Sequence, residues 1–214
     1  YSGENFSTEI GLRHDDNQQF GHENTWNAAL TLPLGNANDL ILSYSEGFRA
    51  PTFNDLYYPD FCFGSMCFPS ANPELTPERS RSYELQWRSR YSDTGSLQAS
   101  VYRTEIEDAI VLDENFIPQN VQTARINGFE AAVQQELFGW QGNLALALID
   151  PRDRDSGHTL QRRAKRTLTL DIDRRFGDVS IGAGWRALSG RYDDAENQIR
   201  MSGYGLLSLR AAWQ

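Results

Sequence analysis

SYELQWRSRYSDTGSLQASVY, running from Ser82 to Tyr102, alternates apolar and polar side chains, breaks at a short polar turn, and alternates again. Tyr83, Leu85, Trp87, Ser89 and Tyr91 share one side of an extended chain against Glu84, Gln86, Arg88 and Arg90, because successive Cβ atoms of a strand point to opposite faces. Beyond the turn "SDTG" (Ser92 to Gly95), Leu97, Ala99 and Val101 oppose Gln98, Ser100 and Tyr102. A period of two on both sides of a turn describes a β-hairpin rather than a pair of helices.

The same period recurs along the chain. Trp26, Ala28, Leu30, Leu32 and Leu34 lie on one face, as do Phe129, Ala131 and Val133, then Leu144, Leu146 and Leu148. Leu168, Leu170 and Ile172 follow, then Val179, Ile181, Ala183 and Trp185, and finally Leu207, Leu209, Ala211 and Trp213. With residues 8–13 and 40–46 added, the pattern predicts an all-β chain of about ten antiparallel strands. Short turns fall at "GNAN", "SDTG", "FGWQ" and "FGD", and long links are expected near 15–23, 49–78, 107–122, 150–161 and 188–200. Long loops at one end of the strands and short turns at the other are the pattern of an up-and-down transmembrane β-barrel, and the aromatic residues near strand ends (Trp26, Tyr83, Tyr91, Trp185, Trp213) suit its interfacial girdles. A soluble antiparallel β-sandwich binding module fits the alternation equally well, so periodicity alone leaves both open.

Composition narrows the function. No eighteen apolar residues run together, which excludes a membrane-spanning helix, and a net charge of −9 argues against a nucleic-acid partner. No enzyme motif is present: His14, His22 and His158 are scattered, and GxSxG and HExxH are both missing. The acids of "DPRDRD" (Asp150, Asp153, Asp155) lack the glycine and terminal glutamate of an EF-hand loop and are read as a charged loop, as are Glu105 and Glu107, so no metal site and no cofactor is expected. Tyr1 begins inside what reads as a loop or strand approach, and the chain is expected to be one piece, 1–214, of a longer protein.

"SYSEGFRAPTFNDLYYPD" (Ser43 to Asp60) followed by "NPELTPERSRSYELQW" (Asn72 to Trp87) closely resembles a strand, long loop and strand of TonB-dependent outer-membrane receptors. "NVQTARINGFEAAVQ" (Asn120 to Gln134) is similar to another segment of that family. Within it, "LQRRAKRTLTLDI" (Leu160 to Ile172) and "SGRYDDAENQIRMSGYGLLSLRAAW" (Ser189 to Trp213) resemble the cobalamin (BtuB-type) branch. The resemblance implies roughly the eleventh to twentieth strands of a 22-stranded barrel in the bacterial outer membrane, without its last hairpin. It also implies uptake of cobalamin or, alternatively, of a ferric siderophore or other chelate, powered by TonB acting through a plug domain that this stretch does not contain. The family's TonB-contacting box and acidic calcium-binding loop are likewise not found in it. Ten strands alone would leave two open edges in outer-membrane lipid, and self-association edge to edge is expected of the isolated piece.

Cobalamin carries amide side chains and one phosphodiester, so a site for it needs donors, acceptors, apolar walls and a cation. The resemblance places Arg162 at the extracellular mouth, with Arg163 and Lys165 beside it and Tyr192 and Asp193 in the following loop. The alternative for the "RRAK" cations is a solvated rim or contact with lipopolysaccharide phosphates. Strand parity puts Arg163 and Lys165 on the side of Thr167 and Thr169, the lumen, and Arg162 on the side of Leu168, unless a bulge intervenes. Tyr57, Tyr58, Phe61, Phe63 and Phe68 either form an apolar lid or pack their loop on itself. Cys62 and Cys67 then lie on the extracellular side, where a thiol pair meets an oxidising compartment, and they read as a disulfide staple on the loop apex. Zinc would need two further ligands, and a spacing of four is not a CxxC redox pair.

Overall fold

The computed structural model describes residues 5–113 and 115–213, so that Tyr1 and Gln214 lie outside it. In chain order its elements are β1 (Ser7–Asn17), β2 (Gly21–Pro33), β3 (Asn38–Arg49), the short helix α1 (Phe53–Tyr57), β4 (Phe61–Phe63), β5 (Met66–Phe68), β6 (Glu78–Ser92) and β7 (Gly95–Leu112). There follow β8 (Pro118–Leu137), β9 (Trp140–Asp153), β10 (Arg166–Phe176), β11 (Val179–Leu188), β12 (Arg191–Tyr192), β13 (Arg200–Met201) and β14 (Tyr204–Trp213). Ten strands form one sheet in the order β1-β2-β3-β6-β7-β8-β9-β10-β11-β14, an antiparallel up-and-down meander. The pairs β4/β5 and β12/β13 are small hairpins inside two of the connections.

Register explains the alternation. Leu30, Leu42, Leu85, Val101, Phe129 and Leu148 stand side by side across consecutive strands. Leu42, Leu85, Val101, Phe129 and Leu148 are 37–49% exposed, a contiguous apolar surface far larger than a water-soluble sheet tolerates. At its upper border the rings of Trp26, Tyr44 and Tyr83 pack at a tilt with centroids 4.5 and 5.0 Å apart. At its lower border Trp140 and Phe176 meet edge to face. Such a band bounded by aromatic rings is the lipid-facing wall of a transmembrane barrel.

The sandwich alternative is corrected here. A sandwich buries one face of each sheet against the other, yet the buried apolar side chains among the described residues (Leu56, Leu75, Ala109, Ala124 and the prolines Pro51, Pro77, Pro118 and Pro151) sit in the loops and at strand ends on the long-loop side. The sheet is a single layer. Its other face carries polar and small residues, among them Glu84, Tyr102 and Gly128, which the register places in one row with Ser43. Tyr102 lies directly across Gly128, where a Cβ would come within 2.1 Å of the ring, and its hydroxyl donates to Glu130. Farther along, Arg210 reaches across the glycines of β11 to Asp171 and Asp173 of β10.

The short turns fall as expected, at 34–37, 93–94, 138–139 and 177–178. Gly35, Phe138, Gly139 and Gly177 supply positive φ there. Three of the expected long links are corrected. Residues 15–23 are a tight hairpin in which Asp15 pairs with Glu23 and Asn17 with Gly21, closed by the Asn17 Oδ1 accepting the Gln19 N–H at 2.8 Å. Residues 107–122 belong largely to β7 and β8, which end at Leu112 and begin at Pro118. Glu105 and Glu107, read as loop charge, therefore sit in β7, paired with Arg125 and Arg81. The link near 150–161 begins later, because Asp150 to Asp153 complete β9 and the open connection is 154–165. The reason is plainest for the β7–β8 hairpin. β7 and β8 have 18 and 20 residues, whereas crossing lipid takes about 9–11, so the excess projects about 30 Å into water. Ladder hydrogen bonds persist there, but no lipid enforces an apolar side.

Candidate functional site

The mouth is built on the long-loop end, and its footing comes from the family-like motifs. Arg49 and Glu78 pair at the ends of β3 and β6, Nε and Nη2 each donating to one carboxylate oxygen at 2.7 Å, and Glu78 also accepts the Ile110 N–H. The 28 residues between them are thus tied at both feet to each other and to β7. Within the loop, Thr52 and Asp55 form a capping box that starts α1, and Leu56 beneath it is buried. Asn72 donates through Nδ2 to the Pro118 carbonyl and the Gln119 side chain. Asn120 accepts the Thr76 N–H and donates to the Thr76 and Asp108 carbonyls, while Leu75 is buried. Side chain to main chain bonds of this kind replace the ladder that a loop lacks.

Beyond these ties the loop projects. β4 and β5 form a hairpin closed by the Cys62–Cys67 disulfide, with Gly64 at φ 64° in its turn. The disulfide staple is present, and no described cysteine is free. Phe61, Phe63, Met66 and Phe68 are 53–76% exposed. Among the loop aromatics Phe53 packs on Tyr57, 5.2 Å between centroids, Phe61 pairs across the hairpin with Phe68, and Tyr58, Phe61, Phe63 and Phe68 are exposed. Tyr57 accepts a hydrogen bond from Gln19 at the tip of the β1–β2 hairpin, and Tyr58 is exposed at the end of α1.

A second cluster joins the connection 154–165 to the connection 189–203. Thr159 and Asn197 exchange two hydrogen bonds of 2.8 Å, and the His158 ring meets the Ala195 carbonyl. Arg162 adopts φ 59°, its N–H donates to the Tyr192 carbonyl, and its Nε donates to Asp193 at 2.8 Å. The structure therefore brings Arg162, Tyr192 and Asp193 together. It also removes the parity argument, since residues 161–165 form a turn before the ladder resumes at Arg166. Arg163 is exposed on a cavity of about 390 Å3 that it shares with Ile110, Leu112, Leu160 and Gln161. Lys165 points its charge to Asp150, which Arg152 also holds, so two acids of "DPRDRD" are accounted for when Asp153 is added as the cap of the following turn.

Tyr57 and Tyr58 are not in that cluster. They sit on the β1–β2 side, and the raised β7–β8 hairpin stands between, bonded to one loop through Asn72 and to the other through Gln161, whose Nε2 donates to the Leu112 carbonyl. The long-loop end is thus one row of linked loops with an aromatic end and a charged end. Sequence reading passed over Asn72, Glu78, Asn120, Asp194 and Asn197, the residues that lock the loops. Apart from Glu78, which opens β6, their signal was Asn and Asp next to turn positions, where such side chains bond the backbone. Asp194 shows the effect in its titration: burial works to raise its pKa, but the Gln198 and Ile199 N–H groups, donating at 2.8 and 2.7 Å, hold the carboxyl below its ordinary value.

Residues 1–214 match the family described as TonB dependent receptor-like, beta-barrel. The chain is 35% identical over 184 residues to the vitamin B12 transporter BtuB of Vibrio vulnificus, covering 82% of this chain and 28% of that protein. It is 29% identical over 218 residues to the vitamin B12 transporter BtuB of Photobacterium profundum, covering 96% and 34%. It thus spans about a third of the length of these curated relatives. A variant of the ferric enterobactin receptor PfeA of Pseudomonas aeruginosa superposes with a TM-score of 0.78 at 17% identity, over 99% of this chain and 35% of that one, a likeness of fold.

Proposed function

The chain belongs to the TonB-dependent receptor β-barrel family of the bacterial outer membrane, and from that premise we propose that it forms part of the wall and mouth of a receptor that takes up cobalamin. The observation that carries the reading is the 35% identity to a vitamin B12 transporter, which spans 82% of the chain. The mouth suits the ligand chemistry. Arg162 and Arg163 offer guanidinium donors for amide and phosphodiester oxygens, and the cavity beside them has apolar walls for a hydrophobic edge. Tyr192 and Asp193 supply a ring and an acceptor. Lys165 sets the field behind them through Asp150. Tyr57 and Tyr58, with the disulfide-closed hairpin, form an aromatic lid on the opposite side. Arg162 is half exposed in its pair with Asp193, so a ligand oxygen shares the guanidinium rather than displacing a buried charge. TonB acts through the plug domain of the complete receptor.

Calorimetry of the complete receptor with cyanocobalamin and, separately, with a ferric siderophore tests the assignment. Heat with cyanocobalamin at micromolar concentration and none with the siderophore is expected. The opposite result moves the protein to the siderophore readers. Unchanged affinity in Arg162→Ala removes that residue from the site.

A further inference from the structure

Arg174 occupies an unusual position for a charge. The register sets it opposite Trp140 on one side and Ile181 on the other, in the same outward file as Leu170 and Ile172. Ile172 is 37% exposed and Ile181 38%, which places Arg174 at the edge of the lipid-facing band, three residues from the turn at Gly177. Its guanidinium carbon lies 4.5 Å from the centre of the Phe176 ring and 5.7 Å from that of Trp140. The acids of its own strand, Asp171 and Asp173, point to the opposite face and are both held by Arg210. Among the described residues no carboxylate pairs with Arg174.

An arginine facing hydrocarbon without a counter-ion is costly unless its head reaches the interface, and here it lies beside two rings at that level. The N–H edge left free of the rings is the fork that matches a phosphate oxygen pair. The short-turn end of such a barrel is the periplasmic end, where the leaflet consists of phospholipid. We propose that Arg174, with Trp140 and Phe176 as its platform, is a binding site for the phosphate of a phospholipid headgroup on the periplasmic rim. The site rests on the outward file and the lipid band alone, and is independent of the transported ligand.

The complete receptor containing this chain, purified in detergent, is titrated with phosphatidylethanolamine and followed by native mass spectrometry. Arg174→Gln weakens lipid retention about fivefold, as expected for losing one cation at a headgroup. Arg174→Lys lies between, and Arg175→Gln, one residue off the file, changes nothing. Diacylglycerol, which has apolar chains but no phosphate, distinguishes none of the variants. Equal phospholipid retention by the wild type and Arg174→Gln overturns the site. So does a parallel loss of diacylglycerol, which assigns the effect to packing, or displacement of the lipid by millimolar inorganic phosphate, which assigns it to a free anion. Folding of each variant is checked by its shift on unheated gels. If Arg174→Gln does not fold, Phe176→Leu in the same titration removes the ring beneath the guanidinium, and its unchanged retention overturns the proposal.

Discussion

Gly128 shows how one missing Cβ fixes a lumen position. The Tyr102 ring fills the space over it, and that contact orients the hydroxyl toward Glu130. Gly128→Val forces the ring out of its place and should cost about 1–3 kcal/mol, read as a lower temperature of conversion from the folded to the unfolded gel band. Tyr102→Ala in the same chain reopens the space and should recover part of the loss; no recovery would show that the backbone, not the ring, sets the requirement. Neither residue announces this in the sequence, because the pairing joins positions 26 apart through a register that only the assembled ladder defines. Arg162 escaped the strand parity expected of it for a different reason. Its φ of 59° takes it out of the extended conformation on which parity depends, and no glycine marks the place. Arg162 and its partner Asp193 were both named from the resemblance, and the two meet at 2.8 Å.

Strands were readable where lipid imposes a rule and unreadable where it does not. On both sides of the turn at 92–95 the lipid-facing file is almost wholly apolar, and the hairpin was plain; from Glu105 to Leu112 β7 stands in water with Glu105 and Glu107 paired to arginines, and it passed for a loop. The β4–β5 hairpin is at the other extreme, with a covalent tie in place of a core. Cys62→Ser with Cys67→Ser releases the ring and returns about 2 kcal/mol of chain entropy to the apex. The expected outcome is weaker cyanocobalamin binding by the complete receptor with an unchanged barrel melting temperature. A drop in melting temperature would show that the staple supports the wall instead of the lid. The docked connection 189–203 responds to acid. Asp194 has a folded pKa below its ordinary 3.8, so its bonds to Gln198 and Ile199 contribute fully above that value and are lost as the pH falls through the depressed one. Hydrogen exchange, corrected for its intrinsic pH dependence, should show protection of those two amides constant from pH 7 to 5 and falling below about pH 3.8. Asp194→Asn should remove the acid step.

At the scale of the whole chain the sheet has two ends, β1 and β14, each with a single neighbour. β1 runs toward the long-loop side and β14 away from it, because an even number of antiparallel strands, here ten, leaves its two edges pointing in opposite directions. An antiparallel partner for β14 of one copy is therefore β1 of another. In lipid or detergent each unpaired N–H and C=O on those edges costs several kcal/mol, far more than the entropy of bringing two chains together at micromolar concentration. The isolated chain, refolded into detergent, should accordingly form dimers or larger closed rings. Cysteines introduced as Ile10→Cys and Leu209→Cys, both on the lipid-facing side of their edges, should cross-link between copies. Light scattering from a single protein monomer per micelle, with no cross-link, would show that the edges find their partners within one chain by curling, and edge-to-edge pairing would be wrong. In the complete receptor the same cysteine pair should stay unlinked between copies, because the neighbouring strands of the barrel occupy both edges. Dimerisation of the piece and its suppression in the whole protein test one cause, the need of every strand in lipid for two neighbours.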